Sequence, residues 1–185
     1  MPGKTRWMAA ACGLMVIATG CGPDLKPTNA KLEKAINGYY EEHNECLFPG
    51  GRKFPYEVSP GTDAKEEKTQ MDAMMDADLV KREEAPALHV ERYTLTAMGE
   101  RVAAAHFCYG HRVVKSVDSF TPAVKQPNGF VQTNVSYHYT MLDVPVWAKT
   151  DSMKSAFPKM ANSISDNASD QITLATVGAG WQVPE

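Results

Sequence analysis

The segment "VQTNVSYHYTM", residues 131–141, alternates strictly between two kinds of side chain. Its odd positions carry valine, threonine, tyrosine and methionine, and its even positions carry glutamine, asparagine, serine, histidine and threonine. Successive side chains of a β-strand point to opposite faces of a sheet. The alternation therefore predicts a strand with one buried face and one wet face, as in an antiparallel sheet that covers a core on one side.

The remainder of the second half is predicted to form a β-meander around this strand. "AHFCYGHRVVKSVDSF" supplies one or two strands around Gly110, and Asn128-Gly129 favours a tight turn before the alternating strand. Asp151 is expected to cap a short helix that Pro158 shortens or kinks. "QITLATVGAGW" is predicted to be the last strand. The inward positions of the inserted helix are Met153, Ala156, Phe157 and Met160.

The first half is predicted to be mainly helical. Thr28 is expected to cap a helix that ends near Cys46, and a second helix is expected from Thr62 to Val80, capped by Thr62 or Asp63. Between them "FPYEV" is an extended piece, and "LHVERYTLT" then forms a strand before the helix "TAMGERVAAA". Apolar side chains recur at helical spacing, so the methionines of the second helix are expected to fill the core. These positions are Leu32, Ala35, Ile36, Tyr39, Tyr40 and His43, then Met71, Met74, Met75 and Leu79.

The order of these elements predicts an α+β fold, in which N-terminal helices precede an antiparallel β-meander with one inserted helix. Within the first half, the order helix, "DADLVKRE", strand, "YTLTAMGE" is similar to the winged-helix arrangement. Leu95, Thr96 and Gly99 stand in the "LTxxG" turn of that arrangement. The resemblance covers about a quarter of the chain and implies a packing unit or a protein-binding module.

The start of the chain has the pattern of an export signal. Lys4 and Arg6 precede the uncharged stretch "WMAAACGLMVIATG", which is too short to span a bilayer as a stable helix. With Gly20 and Cys21 after it, the stretch resembles the signal peptide of bacterial lipoproteins, although Ala18 stands where that family usually has leucine. The resemblance implies that Cys21 becomes the lipid-modified first residue of the mature protein.

This resemblance also implies that the protein is located in the envelope of a Gram-negative bacterium. Residues 1–20 are then the signal peptide, residues 21–29 a tether, and residues 30–185 are expected to be a single periplasmic domain. Gly22 follows the modified cysteine, which implies sorting to the outer membrane with the domain facing the periplasm. The alternatives are an inner-membrane anchor, or an ordinary secretory signal and a soluble periplasmic protein. The acyl chains would hold the protein without a transmembrane helix.

The number of cysteines is consistent with that location. Cys12 leaves with the signal peptide, and a lipidated Cys21 is unable to pair. Cys46 and Cys108 then remain as an even pair for an oxidising compartment. We therefore expect a disulfide bond between these two residues.

The stretch "HFCYGH" crowds three metal ligands together. On a strand His106 and Cys108 would share a face, and a turn would bring His111 to them, as zinc or copper requires. We expect Cys108 to form the disulfide instead. The alternative function is a metal-binding protein or an enzyme that uses these three residues. The usual local signatures of serine hydrolases, zinc proteases and P-loop enzymes are missing from the sequence, so no catalytic residue and no cofactor are predicted.

Charge argues against nucleic acid as a partner. Removal of residues 1–20 takes away two of the 19 basic residues and none of the 22 acidic ones, which leaves a net charge of −5. Nucleic-acid affinity depends largely on basic groups that neutralise phosphates. The predicted function is a non-enzymatic module that binds another envelope protein or a small ligand. Its predicted contact surface is the wet sheet face, with two tryptophans that are either interface anchors or core residues. These residues are Gln132, Asn134 and His138, with Trp147 and Trp181.

Replacement of Cys21 by serine tests the lipid anchor. Because the acyl chains attach to the thiol, the Cys21→Ser protein should move from the membrane fraction to the periplasm. Cell fractionation with electrophoresis measures this change. A Cys21→Ser protein that stays in the membrane pellet with unchanged mobility would contradict the lipoprotein interpretation.

Overall fold

The computed structural model describes residues 25–59, 61, 64–85, 90–104, 106–178 and 180–184. The predicted signal peptide and Cys21 lie outside these residues. The helices are α1 (Asn29–Glu42), α2 (Lys65–Asp76), α3 (Ala97–Ala103), α4 (Asp151–Ala156) and α5 (Pro158–Ser163), with a 3₁₀ turn at Val146–Lys149. The strands are β1 (Tyr56–Val58), β2 (Val80–Ala85), β3 (Val90–Leu95), β4 (His111–Phe120), β5 (Val124–Lys125), β6 (Val131–Leu142), β7 (Ser169–Val177) and β8 (Gly180–Gln182).

The strands form two antiparallel sheets, and the expected α+β fold is confirmed. The smaller sheet has the order β1-β3-β2. The larger sheet has the order β4-β6-β7-β8, and β5 pairs with the start of β6. Buried side chains of both sheets and of the helices belong to one hydrophobic cluster. None of the helices in these residues has the length and hydropathy needed to cross a membrane.

The alternating segment forms β6, the central strand of the larger sheet. Its residues from Thr133 to Met141 alternate between buried odd positions and exposed or half-buried even positions. β4 pairs with one edge of this strand and β7 with the other. The prediction of one buried and one wet face is confirmed.

Helix α1 begins as predicted and ends earlier. The Thr28 side chain accepts a hydrogen bond from the Lys31 amide, and Leu32, Ile36 and Tyr40 are buried. The helix ends at Glu42, because the backbone of the next residue turns extended. Cys46 therefore lies on an extended segment beyond the helix, whereas the sequence predicted a helix that ends near Cys46.

Helix α2 packs its methionines into the core as expected. Met71 and Met74 are fully buried. The helix ends at Asp76, short of the predicted Val80, because Asp78 adopts a left-handed conformation with φ of 56° and turns the chain into β2. The predicted caps, Thr62 and Asp63, lie outside the described residues.

The "LTxxG" turn is a packing unit between α2 and α3. The Thr96 side chain accepts a hydrogen bond from the Gly99 amide and donates to the carbonyl of Asp78. A Cβ atom on Gly99 would lie 1.8 Å from the carbonyl oxygen of Leu79, so only glycine permits this contact. The turn thus fixes α3 against the end of α2.

The last third follows the predicted order with three differences. Thr150, one residue before the predicted cap Asp151, accepts the hydrogen bond that caps α4. Pro158 divides the predicted helix, because it ends α4 and occupies the first turn of α5. The predicted last strand is a hairpin of β7 and β8, which turns at Gly178 with φ of 61°.

The Cys46–Cys108 disulfide is present and joins the segment after α1 to the segment before β4. The two residues face each other in an isolated antiparallel bridge. Backbone hydrogen bonds flank the bridge, from Glu45 to Gly110, from Tyr109 to Glu45 and from Leu47 to Phe107. The predicted pairing is confirmed, and it ties the helical half of the chain to the larger sheet.

Loss of this disulfide should lower stability substantially. The bond closes a loop with a sequence separation of 62 residues, which corresponds in the chain-entropy model to roughly 4 kcal/mol. We expect Cys46→Ala and Cys108→Ala to lower the melting temperature equally, and the double variant to be no less stable than either single variant. Thermal unfolding of the oxidised and reduced proteins measures this. Unequal single variants, or two free thiols in the unreduced protein by mass spectrometry, would contradict it.

Candidate functional site

The polar residues of the predicted contact surface lie together on the wet face of β6. Asn134 and His138 are exposed, and Gln132 is half-buried. The His138 ring nitrogen lies 2.7 Å from the carboxylate of Asp118, and the Asn134 side chain accepts a 2.8 Å hydrogen bond from Thr173. Both side chains are thus engaged with neighbouring strands of the same face.

The two tryptophans lie in the core. Trp147 is 7% exposed and Trp181 is 6% exposed. The sequence left two possibilities for these tryptophans, interface anchors or core residues, and the structure shows core residues. Neither tryptophan has an exposed ring that could act as an interface anchor. Trp181 nevertheless contributes to the wall of a groove described below.

The three residues of the alternative metal site are not brought together. Cys108 is bonded to Cys46, and His106 is exposed with a left-handed backbone. His111 lies 3.6 Å from the carboxylate of Asp143. Across the described ranges, no group of three histidine, cysteine, aspartate or glutamate side chains is placed to hold a metal ion.

A buried arginine joins the larger sheet to the disulfide segment. Arg112 is 5% exposed, and its Nε lies 2.7 Å from a carboxylate oxygen of Glu45. This contact is an ion pair without the alignment of a hydrogen bond. The Nη1 atom donates hydrogen bonds of 2.6 Å to Asp170 and 2.9 Å to the Tyr137 hydroxyl. The guanidinium therefore contacts two carboxylates and a phenol.

Aromatic rings complete the surroundings of Arg112. Its guanidinium carbon lies 4.9 Å from the ring centre of Tyr40 on α1 and 4.4 Å from that of Tyr139 on β6. The Tyr137 hydroxyl also contacts the Tyr40 hydroxyl at 3.4 Å. A desolvated cation is attracted to the faces of aromatic rings. We call Arg112 and its partners the arginine cluster; the partners are Glu45, Asp170, Tyr40, Tyr137 and Tyr139.

Burial determines the protonation states in this region. It raises the pKa of Tyr40 far above its ordinary value, and the hydrogen bond to Tyr137 raises it further. Burial also raises the pKa of Tyr137 and brings that of Tyr109 to about 12. Burial alone would lower the pKa of Arg112, but the hydrogen bond to Asp170 and the nearby acidic groups raise it above its ordinary value. The phenols stay protonated and the arginine stays charged near neutral pH, so the cluster acts as a structural ion network.

The arginine cluster was not predicted, although the sequence contains one signal for it. In "HRVVKSV" Arg112 is two residues from the buried Val114, so both positions lie on the core face of β4. A charged residue at an apolar position of a strand indicates a buried partner. The partners Glu45 and Asp170 are far apart in the chain, and only the fold identifies them.

A groove of about 540 Å³ lies between α1 and β8. β8 is the last strand in the order of the larger sheet, and α1 packs against it. Leu25, four residues before the start of α1, lies in the groove wall. The α1 wall carries Tyr39 and His43, whose rings stack with their centres 4.0 Å apart.

The walls of this groove combine apolar and polar groups. Trp181 and Val183 supply apolar surface from the C-terminal segment, while Lys34 and Glu42 supply opposite charges from α1. Gly38 lies on the helical wall, and a Cβ atom added there would meet no atom within 4 Å. The groove is therefore open at the middle of α1.

Loss of the Arg112 charge should destabilise the fold. The Glu45 side chain is only 15% exposed, so Arg112→Met leaves its buried charge uncompensated and should cost about 3–5 kcal/mol of unfolding free energy. Arg101→Met, at an exposed position of α3, is the matched control and should change stability by less than about 0.5 kcal/mol. Urea unfolding measures both.

The pair Arg112→Met and Glu45→Gln separates the ion pair from simple packing. Because both buried charges are then removed, the double variant should be more stable than Arg112→Met alone. A double variant as unstable as Arg112→Met, or less stable, would show that Glu45 has no role in the cluster.

The chain matches no protein-family model, no curated protein and no solved structure. The role of the groove therefore has to be inferred from its own residues. They form a concave surface with an aromatic wall and a few polar groups, which is the usual composition of a ligand site.

Proposed function

We propose that the protein is a lipid-anchored periplasmic binding protein, with its ligand site in the groove between α1 and β8. The observation that carries this proposal is the groove itself. Its volume of about 540 Å³ falls in the range of roughly 300–1,000 Å³ that is typical of small-ligand sites. The ligand would be a short segment of another envelope protein or a small envelope molecule, with an apolar body and a polar end.

Two observations support the proposed location in the periplasm. The sequence places a lipoprotein-like signal before Cys21, and the Cys46–Cys108 disulfide suits an oxidising compartment. In Gram-negative bacteria that compartment is the periplasm, and Gly22 after the anchor favours the outer membrane.

The chemistry of the groove supports binding. The rings of Tyr39 and His43 stack against each other on the α1 side, and the charged lining residues are two lysines and one glutamate, Lys31, Lys34 and Glu42. Such a surface orients a ligand through a few polar contacts while apolar contacts supply affinity. The buried ionisable groups of the arginine cluster are all engaged with one another, so they stabilise the fold that carries the groove.

The wet face of β6 is retained as a second contact surface. His138 and Asp118 form an exposed pair there, and Asn134 lies on the same face. This surface is polar, which suits a weak contact with another protein. The groove is favoured over it as the primary site because a concave surface buries more of a ligand.

Obstruction of the groove tests the proposal. Gly38→Trp places a large ring on the helical wall where nothing obstructs its Cβ, and it replaces a glycine within a helix, so the fold should persist. A photo-crosslinking residue at Gln182, on the opposite wall, should capture the ligand in living cells. Intact-mass spectrometry of the purified protein should show an adduct that Gly38→Trp abolishes.

Gly50→Trp is the matched control for this experiment. Gly50 is exposed, is not among the groove-lining residues, and also has no atom within 4 Å of an added Cβ. The adduct should therefore persist in Gly50→Trp. An adduct that survives Gly38→Trp at an unchanged melting temperature would exclude the groove as the ligand site.

A further inference from the structure

One end of the larger sheet exposes four apolar side chains. Phe120 is 36% exposed, Val124 56%, Phe130 44% and Val177 42%. We call these four residues the apolar tip. Clusters of exposed apolar groups on a folded domain commonly mark a surface that contacts a membrane or another protein.

Strand pairing places the members of the apolar tip at the same end. Phe120 pairs with Val135, and Val124 pairs with Gln132, near the start of β6. Phe130 immediately precedes β6. Gln132 also pairs with the C-terminal part of β7, and Val177 is the last residue of that strand.

The start of α1 lies at this end too. The Asn29 side chain donates a hydrogen bond to the Val117 carbonyl, and the Asn37 side chain accepts one from the Val114 amide. Helix α1 therefore runs antiparallel to β4, and its first turn points toward Phe120. Leu25 in turn shares the groove wall with Gly180, the pairing partner of Val177.

The distance to the proposed anchor is short. Cys21 precedes Leu25 by four residues, and an extended chain spans at most about 3.6 Å per residue, or roughly 14 Å in total. A lipid on Cys21 would therefore hold this end of the sheet close to the bilayer, with little slack in the tether.

The charge distribution of the tip also fits a membrane surface. Between Ser119 and Ser136 the sequence contains no acidic residue and one basic residue, Lys125. Residues 171–184, which include the end of β7 and all of β8, carry no charged side chain. Asp118 lies two residues before Phe120, and its carboxylate is 2.7 Å from a ring nitrogen of His138. An apolar surface with a lysine and few carboxylates enters the headgroup region of an anionic bilayer at low electrostatic cost.

The opposite end of the sheet offers a comparison within the same molecule. Val146 is 83% exposed there, yet its neighbours in the chain include Asp143, Lys149 and Asp151. Exposed apolar surface alone therefore does not distinguish the two ends. The tip is distinguished by the start of α1, which lies at the same end, and by the uncharged segment 171–184 beside it.

We infer that the apolar tip rests in the headgroup region of the membrane that carries the anchor. This inference rests on the proposed lipidation of Cys21. The tip then serves as a second membrane contact beside the acyl chains, and two contacts fix an orientation that acyl chains on a short tether do not fix alone. The sheet would stand with the tip toward the bilayer, and the opposite end, with Val146, would face the periplasm.

Tryptophan reporters test the orientation. The full mature protein is reconstituted into vesicles of phosphatidylethanolamine and phosphatidylglycerol whose acyl chains carry bromine near the headgroups. Val124→Trp should be quenched severalfold more than Val146→Trp, its matched control at the other end, and its emission should shift to the blue. Because Trp147 and Trp181 are buried, the spectrum of the unsubstituted protein supplies the background.

The outcomes separate this inference from the proposed anchor. Mass spectrometry of the purified protein reports the acyl chains independently of the fluorescence. An acylated protein in which Val124→Trp and Val146→Trp are quenched equally would overturn the inference and leave the anchor intact, as expected if the tip binds another protein instead. A protein without acyl chains would overturn the anchor and this inference with it.

Discussion

The charge of Arg112 lies almost wholly out of water, and the larger sheet, α1 and the disulfide segment all contribute the groups that stabilise it there. Removal of a cation from water costs several kcal/mol unless carboxylates and hydrogen-bond acceptors replace the solvent. Glu45, Asp170 and Tyr137 are those replacements, and each comes from a different part of the chain. The Cys46–Cys108 bridge holds Glu45 beside the start of β4, so the covalent bond and the ion network stabilise the same junction.

The junction between α1, the disulfide segment and β4 determines which elements lie at each end of the larger sheet. With α1 docked antiparallel to β4, the beginning of the helix and the start of β8 lie at one end of the larger sheet, and the groove opens between them. The proposed ligand site and the proposed membrane contact are thus neighbours. A ligand in the groove would lie close to the bilayer, which favours a partner that is itself attached to, or embedded in, that membrane.

The candidate site was only partly predictable. Alternation along β6 was sufficient to place Asn134 and His138 on the wet face, because a period of two assigns faces without knowledge of neighbours. Alternation did not predict whether Trp147 and Trp181 are buried, because they lie in a turn and in a short strand. The groove has walls from α1 and β8, which lie at opposite ends of the chain, and no local pattern links them.

The sequence by itself determined the local elements: the capped start of α1, the buried methionines of α2, the turn at Thr96 and Gly99, a perturbation of the last helix at Pro158, and the faces of β6. Each depends on side chains within a few residues, such as a hydroxyl that caps an amide or a proline that lacks one. Cysteine counting, together with the lipoprotein resemblance, also identified the disulfide. The tertiary structure alone decided that Arg112 is buried with Glu45 and Asp170, that β8 adds an edge facing α1, and that the apolar tip and the start of α1 lie at one end of the larger sheet. These features join residues distant in the chain, and the packing that brings them together is a property of the whole core.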